Sequence, residues 1–143
     1  MNLSLQEELQ ITLLDLTDDV KVELSELNQL KDNVTKGPDY KLFERGIMHA
    51  IIQGKRQMID TLQNQLQTTG TNQDIVVLIE NTKQKLEAQL SQLQSKIPSN
   101  NTTNQAYYEE GLTVAQLYET QGKYYVIQVI SDKINTIQSE DKL

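Results

Sequence analysis

The chain has 143 residues, a formal net charge of −7, one histidine, and neither cysteine nor tryptophan. That is the length of one ordinary domain, able to bury a core without a staple. Disulfide and thiol chemistry are excluded, and the acidic balance disfavours general nucleic-acid binding because phosphates are repelled.

The chain opens on Met1 to Glu8, which lack both a basic and an apolar region of the kind a signal peptide needs. Ser4 and Glu7 instead form a capping box, in which hydroxyl and carboxylate each satisfy an orphan amide. Leu9, Leu13, Leu16, Val20, Leu24, Leu27, Leu30 and Val34 then recur at three- and four-residue steps. This spacing predicts a first helix over about 4–35. Gly37-Pro38 should stop it, glycine by taking the left-handed position and proline by opening the next helix.

A second helix is expected over 39–67, with Phe43, Ile47, Ile51, Met58, Leu62 and Leu66 as its apolar stripe, widened by Met48, Ile52 and Ile59. Gly46 and Gly54 each cost up to ~1 kcal/mol in a helix interior, so they either permit close helix contact or mark a break at Gly54. Thr71 and Asp74 cap a third helix over 72–97, which carries Ile75, Leu78, Ile79, Thr82, Leu86, Leu90, Leu93 and Ile97 and ends at Pro98. The longest unbroken apolar run, Ile75 to Ile79, is far short of a membrane span. A soluble, cytoplasmic protein is the expectation.

Ser99 to Asn104 consists of Ser, Asn and Thr and is expected to be the longest connection. The last helix is predicted over 104–138, with Tyr108, Gly111, Leu112, Ala115, Gly122, Val126, Val129, Ile130 and Ile137 on one face. Lys123 to Ile130 also has strand propensity, and Gly122 could end a helix before it. The fold class that follows is all-α. One domain spans 1–143 as an antiparallel bundle of four long helices, the last with a potential break near Gly122.

Within the last segment, Ala115-Gln-Leu-Tyr118-Glu-Thr-Gln-Gly122-Lys-Tyr124 resembles the helix–turn–helix of a tetratricopeptide repeat. Gln53-Gly54-Lys55 stands sixty-eight residues earlier, twice the period of that repeat. The resemblance implies a turn at Gly122. It departs from the family at Ile59 and Ile127, which stand where a small residue is usual, and the window around Ala88 matches nothing.

Candidate chemistry is sparse. The Glu-x-x-His motif of carboxylate–metal bundles is absent, because Gly46 stands three residues before His49. With one histidine and no cysteine there is no nucleophile triad, and no phosphate-cradling glycine loop occurs. No catalytic residue, metal or cofactor is expected, and the chain reads as a non-enzyme.

Two surfaces could bind a partner. Lys41, Arg45, His49 and Arg56 share one quadrant of the second helix. They either grip an acidic partner or phosphate, or pair with Asp15, Asp18, Asp19, Glu23 and Glu26 of the first helix. Tyr107, Tyr118 and Tyr125 fall on nearly one line of the last helix, and tyrosine is common at interfaces. The function expected is a non-catalytic protein–protein interaction subunit that binds a protein partner or itself, as an adaptor, a chaperone-like protein or a structural component. The alternative is a nucleic-acid-associated helical subunit that uses the basic stripe inside a larger complex.

Overall fold

The computed structural model describes residues 3–29, 39–96 and 104–141, with side chains except at 39–40, 104–110 and 141. Four helices pack against each other: α1 Leu5–Gln29, α2 Asp39–Thr68, α3 Asn72–Ser95 and α4 Asn104–Asp141. No strand occurs among the described residues. The expected Gly37-Pro38 stop and most of the Ser99 to Asn104 connection lie outside the described residues, as do Leu30 and Val34.

Both predicted caps form. The Glu7 amide donates to Ser4 Oγ at 3.1 Å and the Ser4 amide to Glu7 Oε1 at 3.4 Å. Thr71 accepts from the Asp74 amide at 3.1 Å and has the extended backbone of an N-cap. Lys96 caps the other end of α3. At the close of α2 the hydroxyls of Thr68 and Thr69 both donate to the Gln65 carbonyl, so side chains satisfy a terminal acceptor.

One expectation needs correction. α4 runs unbroken through Gly122 and through Lys123 to Ile130, so there is no turn, and the tetratricopeptide-like hairpin does not form. Strand propensity in that stretch is overridden by burial: Val126, Ile127 and Ile130 are wholly enclosed in the core at helical spacing. Gly122 is tolerated mid-helix because α2 lies directly against it.

Side-chain contacts set the directions. Gln6 donates to the Leu66 carbonyl, Gln10 to the Gln63 carbonyl and Lys55 to Glu23, so α1 and α2 are antiparallel. Tyr124 reaches Glu87, and Gln92 and Leu93 share a cleft with Gln116, so α3 and α4 are antiparallel. α2 and α4 run parallel and form the most extensive contact in the fold. The bundle is therefore up-down-up-down, with one diagonal closed: α2 touches α4 far more than it touches α3.

The seam of that diagonal is made by two glycines. A Cβ on Gly54 would overlap the Glu119 carbonyl, and a Cβ on Gly122 would overlap the Ile51 carbonyl. Each glycine thus meets the backbone three residues before the other, the reciprocity of a two-fold axis. The separation of sixty-eight residues extends along both helices. Ile52 and Thr120, Met58 and Val126, Ile59 and Ile127, Leu62 and Ile130, and Leu66 and Ile134 are buried in matching positions.

On the outer helices a shift of sixty-six residues pairs Leu9 with Ile75, Leu13 with Ile79 and Val20 with Leu86, all buried. The hairpins α1–α2 and α3–α4 are therefore two versions of one unit, related by an approximate two-fold axis. Even their surface clefts correspond. Glu23, Glu26, Met48, Ile51 and Ile52 line one, and Gln89, Gln92, Gln116, Glu119 and Thr120 line its counterpart.

The core follows the predicted stripes except over the N-terminal portions of α2 and α4. There Phe43, Met48 and Leu112, all expected inside, are exposed at 64%, 40% and 47%, as are the small Gly111 and Ala115.

Candidate interaction surface

The described part of α1 ends at Gln29, and its Glu23 and Glu26 lie level with Met48 to Ile52 of α2. α3 ends with its cap at Lys96, just past Gln92 and Leu93, which lie level with Gln116 of α4. Among the described residues, neither α1 nor α3 lines the groove between the N-terminal portions of α2 and α4. Its walls are Leu42, Phe43, Ile47, Val114 and Tyr118, and its volume is about 440 Å³. The small residues Gly46, Ala50, Gly111 and Ala115 leave that space. A Cβ at Gly46 or Gly111 would meet nothing within 4 Å, in contrast to Gly54 and Gly122.

The predicted tyrosine line divides. Tyr118 is half-buried against the groove. Tyr125 is 47% exposed and lies under Lys55, whose Nζ is 4.4 Å from the ring centroid. This cation–π contact and the Lys55–Glu23 ion pair of 3.0 Å join α1, α2 and α4 at one point. The Tyr107 side chain lies outside the described residues.

The residues of the predicted basic stripe lie in different settings. Lys41 pairs with Glu44 on its own helix at 3.4 Å. Arg45 is half-buried, with Nε enclosed and lacking a hydrogen-bond partner. His49 and Arg56 are exposed. Arg56 sits about 16 Å further along the axis than Arg45, at the rim of a different cleft, between α1 and α2. The ion pair that does join α2 to the acidic first helix uses Lys55, a residue outside the stripe. Lys55 lies closer to α4 and so can span the seam.

Sequence patterning assigned Phe43 to the core and passed over Leu42. No local signal marks them: they stand out only because, among the described residues, α1 and α3 do not line this part of α2 and α4. Tyr124, which the sequence places only within the repeat-like stretch, also has a structural role. Its hydroxyl donates to Glu87 Oε1 at 3.2 Å, and its ring packs on the core. Burial first, then the hydrogen bond and negative charge of Glu87, push the phenol above its ordinary value.

Among the described residues no group of three or more His, Asp or Glu is placed to hold a metal ion, and no described helix is long and apolar enough to cross a membrane. Comparison with protein-family models, with curated proteins and with solved structures finds no match.

Proposed function

We propose that this protein is a non-catalytic interaction subunit of the cytoplasm, which engages a protein partner through the groove between the N-terminal portions of α2 and α4. The observation that carries this reading is the exposure of Leu42 and Phe43 beside the half-buried Tyr118, around a cleft of about 440 Å³. Large apolar residues clustered on an open groove, rather than scattered singly, are what marks a docking surface. An amphipathic helix is the element that suits a groove between two parallel helices.

Affinity capture with the intact chain as bait tests this, followed by the same capture with Phe43→Ser or Tyr118→Ala. A partner retained by the parent chain and lost by both variants, with the helical spectrum unchanged, supports the assignment. Retention by both would remove it. The nucleic-acid reading gains no support from the arrangement of Lys41, Arg45 and Arg56, which lie in separate settings along α2.

A further inference from the structure

The two hairpins offer an internal comparison, because positions equivalent under the approximate two-fold carry different side chains. Between α3 and α4, the Tyr124 ring packs against the core and its hydroxyl is held by Glu87. The equivalent positions between α1 and α2 are Arg56 and Lys21. There no ring fills the space, and a cleft of about 230 Å³ opens over Val20, Leu24 and Ile59.

Lys21 and Arg56 line this cleft and are both exposed, and among the described residues neither forms an ion pair. Asp60 also lines it, one turn from Arg56, so the titratable side chains there are two cations and one carboxylate. The second hairpin thus contains within itself two things the first lacks: an aromatic ring on the apolar floor and a polar contact between the helices at the rim, from Tyr124 to Glu87.

We propose that the α1–α2 cleft receives an acidic segment of a partner protein, which seats an aromatic side chain on Val20, Leu24 and Ile59 and pairs flanking carboxylates with Lys21 and Arg56. The ring takes the place that Tyr124 fills in the other hairpin, and the carboxylates pair with two cations that form no ion pair with Asp60 or any other described residue. Charge complementarity selects the occupant: an apolar segment without acids would leave both cations beside it unanswered, and a basic one would meet repulsion. This site is separate from the groove between α2 and α4, and its test needs no natural partner, so either assignment can fail without the other.

The test is titration of the isotope-labelled full chain with a capped tripeptide of glutamate, phenylalanine and glutamate, followed by NMR. Two controls replace both glutamates by glutamine, or phenylalanine by alanine. Work at physiological ionic strength limits the general repulsion from the net charge, since the Debye length there is about 8 Å. The expected result is saturable shifts of the Val20, Leu24 and Ile59 methyls. These should need at least tenfold more of the glutamine peptide and be missing with the alanine peptide.

The double change Lys21→Glu with Arg56→Tyr installs the pair found in the other hairpin. It should abolish the shifts and raise the melting temperature, because the cleft is then filled from within. Lys21→Gln with Arg56→Gln, which removes charge without adding a ring, should also abolish them at an unchanged fold. No shift at the three methyls, equal affinity for the glutamine peptide, or binding undiminished in the glutamine double variant would overturn the proposal.

Discussion

Gly54 and Gly122 hold the two halves of the molecule together by having no side chains. Each lets the backbone of the opposite helix approach to where a Cβ would stand, against Glu119 in one direction and Ile51 in the other. Close approach brings Cα–H groups and carbonyls of neighbouring helices together and adds weak polar attraction to dispersion. It also explains why the most extensive contact in the fold is between two parallel helices rather than between neighbours in the chain. Each glycine costs up to ~1 kcal/mol of helix propensity, and the packing it permits offsets that cost.

Gly54→Ala and Gly122→Ala should therefore each destabilise the protein by about 3 kcal/mol or more, at the upper end of overpacking effects, because the obstacle is backbone and cannot rotate away. Gly46→Ala and Gly111→Ala meet open space and should instead stabilise by up to ~1 kcal/mol through helix propensity alone. Urea unfolding of the four variants checks this. The same sign at all four positions would show that the seam does not depend on close approach.

Sequence periodicity located all four helices and both described N-caps, since capping and three-to-four spacing are local properties of the chain. It recognised that Gly54 could mean either contact or break, and that Gln53-Gly54-Lys55 and Gln121-Gly122-Lys123 stand sixty-eight residues apart. It could not tell that these two segments face each other, because nothing local distinguishes a glycine that ends a helix from one that admits another helix. The exposure of Phe43 was hidden for a related reason. Its place in the heptad is that of a core residue, and its exposure is decided by what packs against that part of α2, which is not a local property of the sequence. Of the candidate surface, Tyr118 and Tyr125 were legible as large polar-tipped rings, but their division between a groove and a cation–π contact depends on tertiary placement.

The core supplies a second prediction. Leu27 and Leu86 are 1% and 4% exposed and lie one in each hairpin. Leu27→Ala and Leu86→Ala should each cost about 2–5 kcal/mol, the range for truncating a buried leucine. Gln65 and Gln94 are exposed, and alanine there should stay within about 0.5 kcal/mol. Thermal or urea unfolding measures all four, and comparable losses at leucine and glutamine would show the helical phase to be wrong.

The hydrogen bond from Tyr124 to Glu87 gives a pH dependence. The phenol is raised in the native state by burial first and then by Glu87, so the folded protein holds this proton more tightly than the unfolded chain. For a group whose native pKa is raised, the contribution to stability is whole below the unfolded value and is lost as pH rises through the native one. The window therefore opens near 10, the ordinary value for tyrosine, and extends upward. Tyr124→Phe should cost about 1 kcal/mol or less at neutral pH. Above pH 10 the parent chain should lose stability more steeply than the variant. Parallel curves would mean that Glu87 does not hold the phenol proton in solution.

The last prediction concerns the α2–α4 groove, whose apolar walls are open in the free chain. Interface energy concentrates in a few aromatic or arginine anchors, and loss of one typically costs ~2 kcal/mol or more, about thirtyfold in affinity. Phe43→Ser and Tyr118→Ala each remove one of the two rings that line the groove, so each should weaken partner binding or self-association by at least that factor. Neither ring is fully buried in the free protein, so the far-ultraviolet helical signal should persist. Tyr125→Ala separates the two halves of the tyrosine line: it loses the contact with Lys55 but leaves the groove intact, and binding should fall by less than threefold. Arg45→Glu combined with Arg56→Glu is the matched control for the basic flank. Binding that survives the charge reversal and fails with Phe43→Ser places the partner in the groove. Binding abolished by the charge reversal and indifferent to Phe43→Ser and Tyr118→Ala would move the interface to the cationic side of α2, leaving the exposed rings without a role in association.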